Sequence, residues 1–276
     1  MSGYEASHNQ QPARDPVTED AMNRDGRTFG IPASRRLTWD LLSFHRSVPL
    51  CPHERLMNLA AVSQARDECP VRISWPALFL KAFSKVALDF PEYRQIWYRW
   101  PWAHIYQHPG SIATLTVSRE IDGVPWLFWG QVPQPDQVAL DEIQFCIRHF
   151  QTSDATKTFG EWLQFANLPT FLRRLIWWWN LNAGKKSRAK RVGTFFLSTL
   201  AGKGVEIPLP PSVHSACLSY GPLDEQHNCR VVLAYDHRLL DGSRVADSLI
   251  ALEHVLNTSI AAELQSLQSS KLLNAA

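Results

Sequence analysis

The sequence lacks a long uninterrupted apolar segment. None of its apolar runs reaches the roughly 18 residues that suggest a membrane-spanning helix. The first 30 residues are polar and lack the apolar core of a secretory signal. We therefore expect a chain with neither a membrane span nor a secretory leader.

Cysteine is scarce and has no pattern. The five cysteines are odd in number, lie far apart and form no Cys-x-x-Cys pair, which argues against a zinc site or a disulfide framework. We predict no metal and a reducing, cytoplasmic location.

The chain has no large excess of charge of either sign. The formal net charge is only +2, which argues neither for nor against nucleic acid, and we predict no such partner. A hydrophobic fraction of 45% and a charged fraction of 20% are typical of a soluble globular protein. The polar composition of residues 1–30 predicts a flexible tail, followed by one domain over 31–262 and a C-terminal tail over 263–276.

The best-defined pattern lies near the C-terminus. The apolar stretch Arg230–Tyr235 predicts a strand that ends at a histidine, His237, and residues 243–256 have helical periodicity. Asp241 follows four positions after the histidine, and Gly242 permits a tight turn. A histidine with a pKa near 6.5 can act as a general base at neutral pH.

Three interpretations of this pattern stay open. Asp241 could orient His237, or it could pair with an arginine and brace the loop. Alternatively, His237 is a hydrogen-bonded strand-end residue and Asp241 only caps the following helix.

Two stretches resemble one known family. Tyr235–Gly242 resembles the His-x-x-x-Asp-Gly signature of the dihydrolipoyl acyltransferase catalytic domains of 2-oxoacid dehydrogenase complexes, whose fold chloramphenicol acetyltransferases share. Gly193–Leu200 resembles the family's serine strand, although Phe196 replaces a threonine and Ala201 a glycine. The resemblance is specific at these motifs and loose over the rest of 31–260.

The resemblance implies both a fold and a site. The fold class is α/β, a chloramphenicol acetyltransferase-like two-layer sandwich with a mixed β-sheet flanked by helices, assembled as a homotrimer. His237 would take the proton of a thiol, and Ser198 would stabilise the oxyanion. Asp241 would brace the loop by pairing with Arg35 or Arg36. The family's active sites lie between subunits, so the histidine and the serine would come from different chains.

The implied function is acyl transfer between a thioester and an unidentified acceptor. Coenzyme A or acyl-CoA would be a co-substrate, with no permanently bound cofactor. We expect neither the lipoyl domain nor the subunit-binding domain of the family, because a 30-residue tail is too short for either. Two alternatives remain: transfer to or from a lipoyl or phosphopantetheine arm of a carrier protein supplied in trans, and a non-catalytic trimeric scaffold.

Residues 151–191 are not typical of the family. Leu168–Trp179 is rich in tryptophan and could be an interfacial membrane helix, line an acyl tunnel, cover a neighbouring subunit or pack on the sheet. A basic run follows, in which Lys185, Lys186 and Arg188 could contact the phosphates of CoA. A solvated loop is the alternative for this run.

Overall fold

The computed structural model describes residues 26–275, and the side chains of residues 26–269. The flexible tail predicted for residues 1–30 therefore lies mostly outside the described residues. The folded domain begins at Ala33.

The domain contains ten α-helices and eight strands within the described residues, with runs of consecutive strands and consecutive helices. The helices are α1 (Ala33–His45), α2 (Ala60–Glu68), α3 (Trp75–Asp89), α4 (Leu140–Thr152), α5 (Ala155–Thr158), α6 (Gly160–Asn167), α7 (Thr170–Asn182), α8 (Lys185–Val192), α9 (Gly242–Val255) and α10 (Ala261–Ala275). The strands are β1 (Leu50–Asn58), β2 (Gln95–Tyr98), β3 (His104–Gln107), β4 (Ile112–Ile121), β5 (Val124–Pro133), β6 (Phe195–Leu197), β7 (Ala216–Leu223) and β8 (Asn228–Asp236).

Six strands form one mixed sheet in the order β1-β8-β7-β6-β4-β5, while β2 and β3 form a separate hairpin. β6 is parallel to both of its neighbours, and the other pairs are antiparallel. Gly193 leads into β6 with φ +96°, and a Cβ there would collide with the Thr114 side chain. Only glycine combines that backbone conformation with so close an approach.

Alternation along the strands divides the core between the two faces of the sheet. Phe195 and Leu197 belong to the larger core, whereas Phe196, between them, belongs to a second cluster. Helices α3, α4, α9 and α10 supply the larger core, and α1, α7 and α8 supply the second. Both faces of the sheet are therefore covered.

A buried ion pair holds the second layer together. Arg173 Nε of α7 donates to Asp40 Oδ2 of α1 at 2.6 Å, and both side chains are almost fully buried. The guanidinium also donates to the Leu168 carbonyl at 2.6 Å. The pair fixes α7 against α1 although the two residues lie 133 positions apart.

The tryptophan-rich segment is thus a helix with two different faces. Trp177 and Leu181 pack into the second cluster. The opposite face exposes Phe171, Leu175 and Trp179. The predicted packing on the sheet therefore applies to one face of α7. A membrane or subunit contact of its other face stays a prediction. No helix within residues 26–275 is both long and apolar enough to cross a membrane.

Two segments differ from their predicted structure. The basic run is helix α8 and not a solvated loop, because Arg188 and Val192 bury one side of it. The C-terminal tail is predicted to begin at residue 263, and helix α10 continues through that position. Glu263 pairs with Lys81 at 2.5 Å, and Leu264 is fully buried.

His214 is a buried polar residue of the second layer. Its Nε2 lies 2.6 Å from the Val192 carbonyl, which can only accept, so Nε2 carries the proton. Nδ1 then accepts from the Ser212 hydroxyl at 2.9 Å. Burial lowers the pKa of His214 to about 3, and the imidazole stays neutral at pH 7.

Replacing Arg173 by methionine should destabilise the fold by about 3–5 kcal/mol, because the buried Asp40 carboxylate then keeps only the longer ion pair with Arg174, at 3.6 Å. Urea unfolding measures the loss. Arg174→Met is the comparison, since it removes a longer ion pair to the same carboxylate from a side chain that is 44% exposed, and its effect should stay within about 1 kcal/mol. The double change Asp40→Leu/Arg173→Met should be less harmful than Arg173→Met alone; equal or greater harm would contradict this account.

Acidification should also weaken the fold through His214. Its pKa is about 3 in the folded chain and near 6.5 in the unfolded chain, so the unfolded state binds one more proton between these values. Its contribution is complete above pH 6.5 and is lost as pH falls toward 3, with a slope on the order of 1 kcal/mol per pH unit. Urea unfolding from pH 7.5 to about 4.5 should show a shallower slope in His214→Gln. The exposed His254→Gln should match wild type, and an unchanged slope in His214→Gln would refute the assignment.

Candidate functional site

A rigid turn presents His237 at the end of β8. The Asp236 carboxylate accepts from Arg238 Nε at 2.8 Å and from its Nη2 at 2.6 Å, and it also accepts from the Arg238 backbone N–H. The Arg238 guanidinium lies 4.3 Å from the centre of the Trp97 ring. The backbone N–H of His237 donates to the Pro49 carbonyl at 3.2 Å. These contacts fix the loop through the two residues that flank the histidine.

The His237 side chain itself is open. It is exposed, and within the described residues neither of its ring nitrogens has a hydrogen-bond partner. Its ring centre lies 5.4 Å from that of Tyr235. A fixed backbone with free ring nitrogens suits a base that must meet an incoming group.

Asp241 is the N-cap residue just before α9, and its side chain makes no capping hydrogen bond. Its side chain is exposed, and its backbone carbonyl accepts from Val245 N–H at 3.1 Å. Asp241 forms no ion pair in residues 26–269, and Arg36 instead donates to the Ala166 carbonyl at 3.2 Å. Arg35 is exposed. The bracing pair between Asp241 and Arg35 or Arg36 is therefore not formed within one protomer.

Gly242 is needed for space and not for a turn. It is the first residue of α9 and has no positive φ. A Cβ there would lie 2.7 Å from His53 Cε1. His53 packs edge-on against Tyr235, with ring centres 5.1 Å apart. Gly242 thus lets the helix start close against the β1 histidine.

Ser198 lies just after β6, on the second face of the sheet. Its backbone N–H donates to the Leu218 carbonyl at 3.0 Å. Its hydroxyl oxygen accepts from Thr116 Oγ1 at 3.4 Å, and the residue is 8% exposed. Because the oxygen accepts this bond, its own proton stays available for another acceptor.

The topology separates Ser198 from His237. Ser198 follows a strand parallel to β7, whereas His237 follows β8, which is antiparallel to β7. The register places Ser198 beside Leu218, and it places Asp236 beside Ser215. The two side chains are then roughly 15 Å apart along the strands and about 10 Å apart across them. One protomer does not bring them together.

A positively charged cavity of about 450 Å³ adjoins the histidine loop. Asp236, Arg238, Arg188 and Arg99 contribute to its wall. Arg188 is buried and donates to two backbone carbonyls, those of Leu181 at 2.9 Å and Val213 at 2.7 Å.

Arg188 keeps its charge although it is buried. Burial lowers the Arg188 pKa to about 10, which still leaves the guanidinium charged at neutral pH. Lys185 and Lys186 are exposed on α8 and do not line this cavity. The three predicted cofactor-binding residues are thus separated into one cavity residue and two surface residues.

Some residues of the site carry no signal in the sequence. Thr116 contacts Ser198 only because β4 and β6 are neighbours, and His53 meets Gly242 only because β1 pairs with β8. Trp97 lies in the β2–β3 hairpin and has no motif of its own. The pairing order of the strands had to be known before any of them could be found.

Comparisons with known proteins agree on the fold. No protein-family model and no curated protein matches the chain. A truncated catalytic core of the 2-oxoacid dehydrogenase multienzyme complex from Thermoplasma acidophilum matches with a TM-score of 0.61 and 13% identity, over 84% of this chain and 99% of that one. A probable dihydrolipoamide acetyltransferase from Listeria monocytogenes matches with a TM-score of 0.56 and 14% identity, over 88% and 95%.

The cubic core of a pyruvate dehydrogenase multienzyme complex also matches, with a TM-score of 0.56 and 16% identity, over 92% of this chain and 100% of that one. The chain therefore has the fold of these acyltransferase cores. The predicted resemblance and the predicted fold class, a mixed sheet flanked by helices, are confirmed. The trimer stays a prediction.

Gly242→Ala should destabilise the fold by about 1–3 kcal/mol, because the new methyl group overlaps the His53 ring. Urea unfolding of Gly242→Ala, His53→Ala and the double variant forms a mutant cycle. Removal of the ring should restore much of the lost stability in the double variant. Additive losses would show that His53 is not the obstacle.

Proposed function

We propose that the protein is an acyltransferase that uses an acyl-CoA thioester. The observation that carries the proposal is the presentation of His237: its loop is clamped through Asp236 and Arg238, while its ring nitrogens stay free. A structural histidine would gain stability from a partner, whereas a base needs an open nitrogen.

The reaction assigns one role to each motif. His237 takes the proton of the acceptor thiol or hydroxyl, and the resulting anion attacks the thioester carbonyl. Ser198 donates its free hydroxyl proton as a hydrogen bond to the tetrahedral oxyanion. When the intermediate collapses, the CoA sulfur leaves, and the imidazolium returns the proton to it.

The site lies between protomers in this proposal. His237 and Ser198 emerge at opposite ends of the strands, so each would pair with its counterpart on another chain. A closed ring of three protomers would satisfy every copy. Asp241 and Arg35 are both exposed and therefore accessible for a bracing ion pair across that interface.

The charge of the neighbouring cavity supports CoA as the donor. Arg188 and Arg99 add positive charge to its wall beyond the Arg238–Asp236 pair. CoA carries several phosphate charges, and arginine binds phosphate oxygens through paired N–H groups. Its thiol end would lie near His237, because the residues on either side of that histidine line the cavity.

His237→Ala should abolish acyl transfer, and Ser198→Ala should lower turnover by about 10²–10³-fold with little change in donor affinity. Mass spectrometry of CoA and acylated products, with acetyl-CoA and longer acyl-CoAs against a panel of thiols and alcohols, measures transfer. His254→Ala and Ser266→Ala are matched controls on exposed helix positions and should retain wild-type rates. Full activity in His237→Ala would reject the mechanism.

Mixing the two inactive variants tests the shared site. Protomers of Ser198→Ala still carry His237, and those of His237→Ala still carry Ser198. Random co-assembly at equal ratio into trimers should restore about a quarter of the wild-type sites. Recovery requires mixed trimers, so the two variants are refolded together. No recovery in these samples would place both residues of a site in one protomer.

A further inference from the structure

A second, larger cavity lies on the Ser198 face of the sheet, between edge strand β5 and the helices of residues 155–192. Its volume is about 690 Å³, within the range of small-molecule sites in proteins. Six of its lining residues are aromatic: Trp129, Phe150, Phe159, Trp162, Phe165 and Trp177.

The aromatic rings are arranged edge to face. The ring centre of Trp129 lies 5.6 Å from that of Trp162 with planes at 70°, and 5.7 Å from that of Trp177 with planes at 82°. A planar aromatic guest gains from ring contacts of this kind, beyond the area that it buries.

Two N–H groups of residues in the wall have no acceptor among residues 26–269. Trp177 is 4% exposed, and its indole Nε1 has no hydrogen-bond partner. The amide Nε2 of Gln131, on β5, also has none. A buried donor without an acceptor is destabilising, so an oxygen atom of a ligand that accepts from it would remove that cost.

The rim adds positive charge. Lys190 and Arg191 of α8 are exposed and line the cavity, against one carboxylate, that of Glu161. Arg191 Nη1 donates to Asn180 Oδ1 at 2.5 Å, which holds the guanidinium at the opening. An apolar aromatic interior, free donors and a net positive rim together suit an aromatic anion.

We propose that this cavity binds a planar aromatic carboxylate, with its ring among the tryptophans and its carboxylate toward Gln131 and the Lys190–Arg191 rim. Trp129 lies opposite Thr116 in the β4–β5 register, and Thr116 contacts Ser198. Trp129 in the cavity wall is therefore about two strand spacings, roughly 10 Å, from Ser198. The further idea that this aromatic ligand is part of the transferred acyl group or of its acceptor rests on the proposed function. The binding of the ligand does not depend on that function.

Calorimetry with the full chain and no acyl donor tests the binding. The probes are 2-naphthoate and its neutral analogue 2-naphthylmethanol. Naphthoate should bind at least tenfold more tightly than the alcohol. In ¹H–¹⁵N spectra, the indole resonance of Trp177, assigned from its absence in Trp177→Phe, should shift on addition of naphthoate.

Charge variants of α8 give a matched pair. Lys190→Ala/Arg191→Ala should weaken naphthoate binding at least tenfold and remove the preference over the alcohol. Lys185→Ala/Lys186→Ala removes the same charge from the same helix outside the cavity and should leave both affinities unchanged. All four positions are exposed, so the variants should fold.

Two results would overturn the proposal: no naphthoate binding at millimolar concentration, or equal losses in both double variants, which would indicate nonspecific attraction to a basic helix. Failure of acyl transfer in the assays above leaves this result unaffected, because the titration contains no donor. Trp162→Ala should weaken both probes, since it removes a ring from the wall.

Discussion

The ion pair between Asp40 and Arg173 determines what covers the second face of the sheet. A charge leaves water only when attraction and hydrogen bonds replace its hydration. The Arg173 guanidinium has Asp40 and the Leu168 carbonyl as partners, and the latter lies just before α7. The helix therefore has one rotational setting on the sheet, and that setting buries Trp177 and exposes Trp179.

From this setting follows the separation of the chemistry into two regions. The helices of residues 155–192 leave an aromatic cavity beside β5, on the face that carries Ser198. The histidine loop and its basic cavity lie at the other end of the strands. Arg188 connects the two regions, since it belongs to α8 and lines the basic cavity. The segment of residues 155–192, which lies outside the two motifs, thus contributes to the walls of both cavities.

Much of the fold could be predicted from the sequence, because the apolar run along β8 and the glycine before β6 are local signals. The strand-to-helix junction around His237 was also predictable, since it depends on residues within one stretch. The buried state of Arg173 was not predictable. Next to tryptophans, an arginine has the same pattern in a membrane-surface helix as in a buried ion pair, and only the partner, 133 positions away, decides between them.

The candidate site was only partly predictable from the sequence. Ser198 and His237 were found from motifs, but the sequence does not contain the strand order that separates them. The role of Gly242 was assigned to a turn, because glycine usually marks one; its actual constraint is the His53 ring across the sheet. The basic run was treated as one unit, although helical geometry turns Arg188 inward and leaves Lys185 and Lys186 outside.

The pairing of β1 with β8 has a consequence for the time at which the fold forms. β1 is an edge strand, and in the part of the chain that the structure describes its only neighbour in the sheet is β8, with Leu50 opposite Asp236. On a ribosome, the chain emerges from its N-terminus, so β1 leaves the exit tunnel long before its partner exists. Until then, its backbone donors and acceptors can only be satisfied by water or by other chains. The protein therefore carries an unpaired strand through most of its synthesis, which is the interval in which aggregation competes with folding.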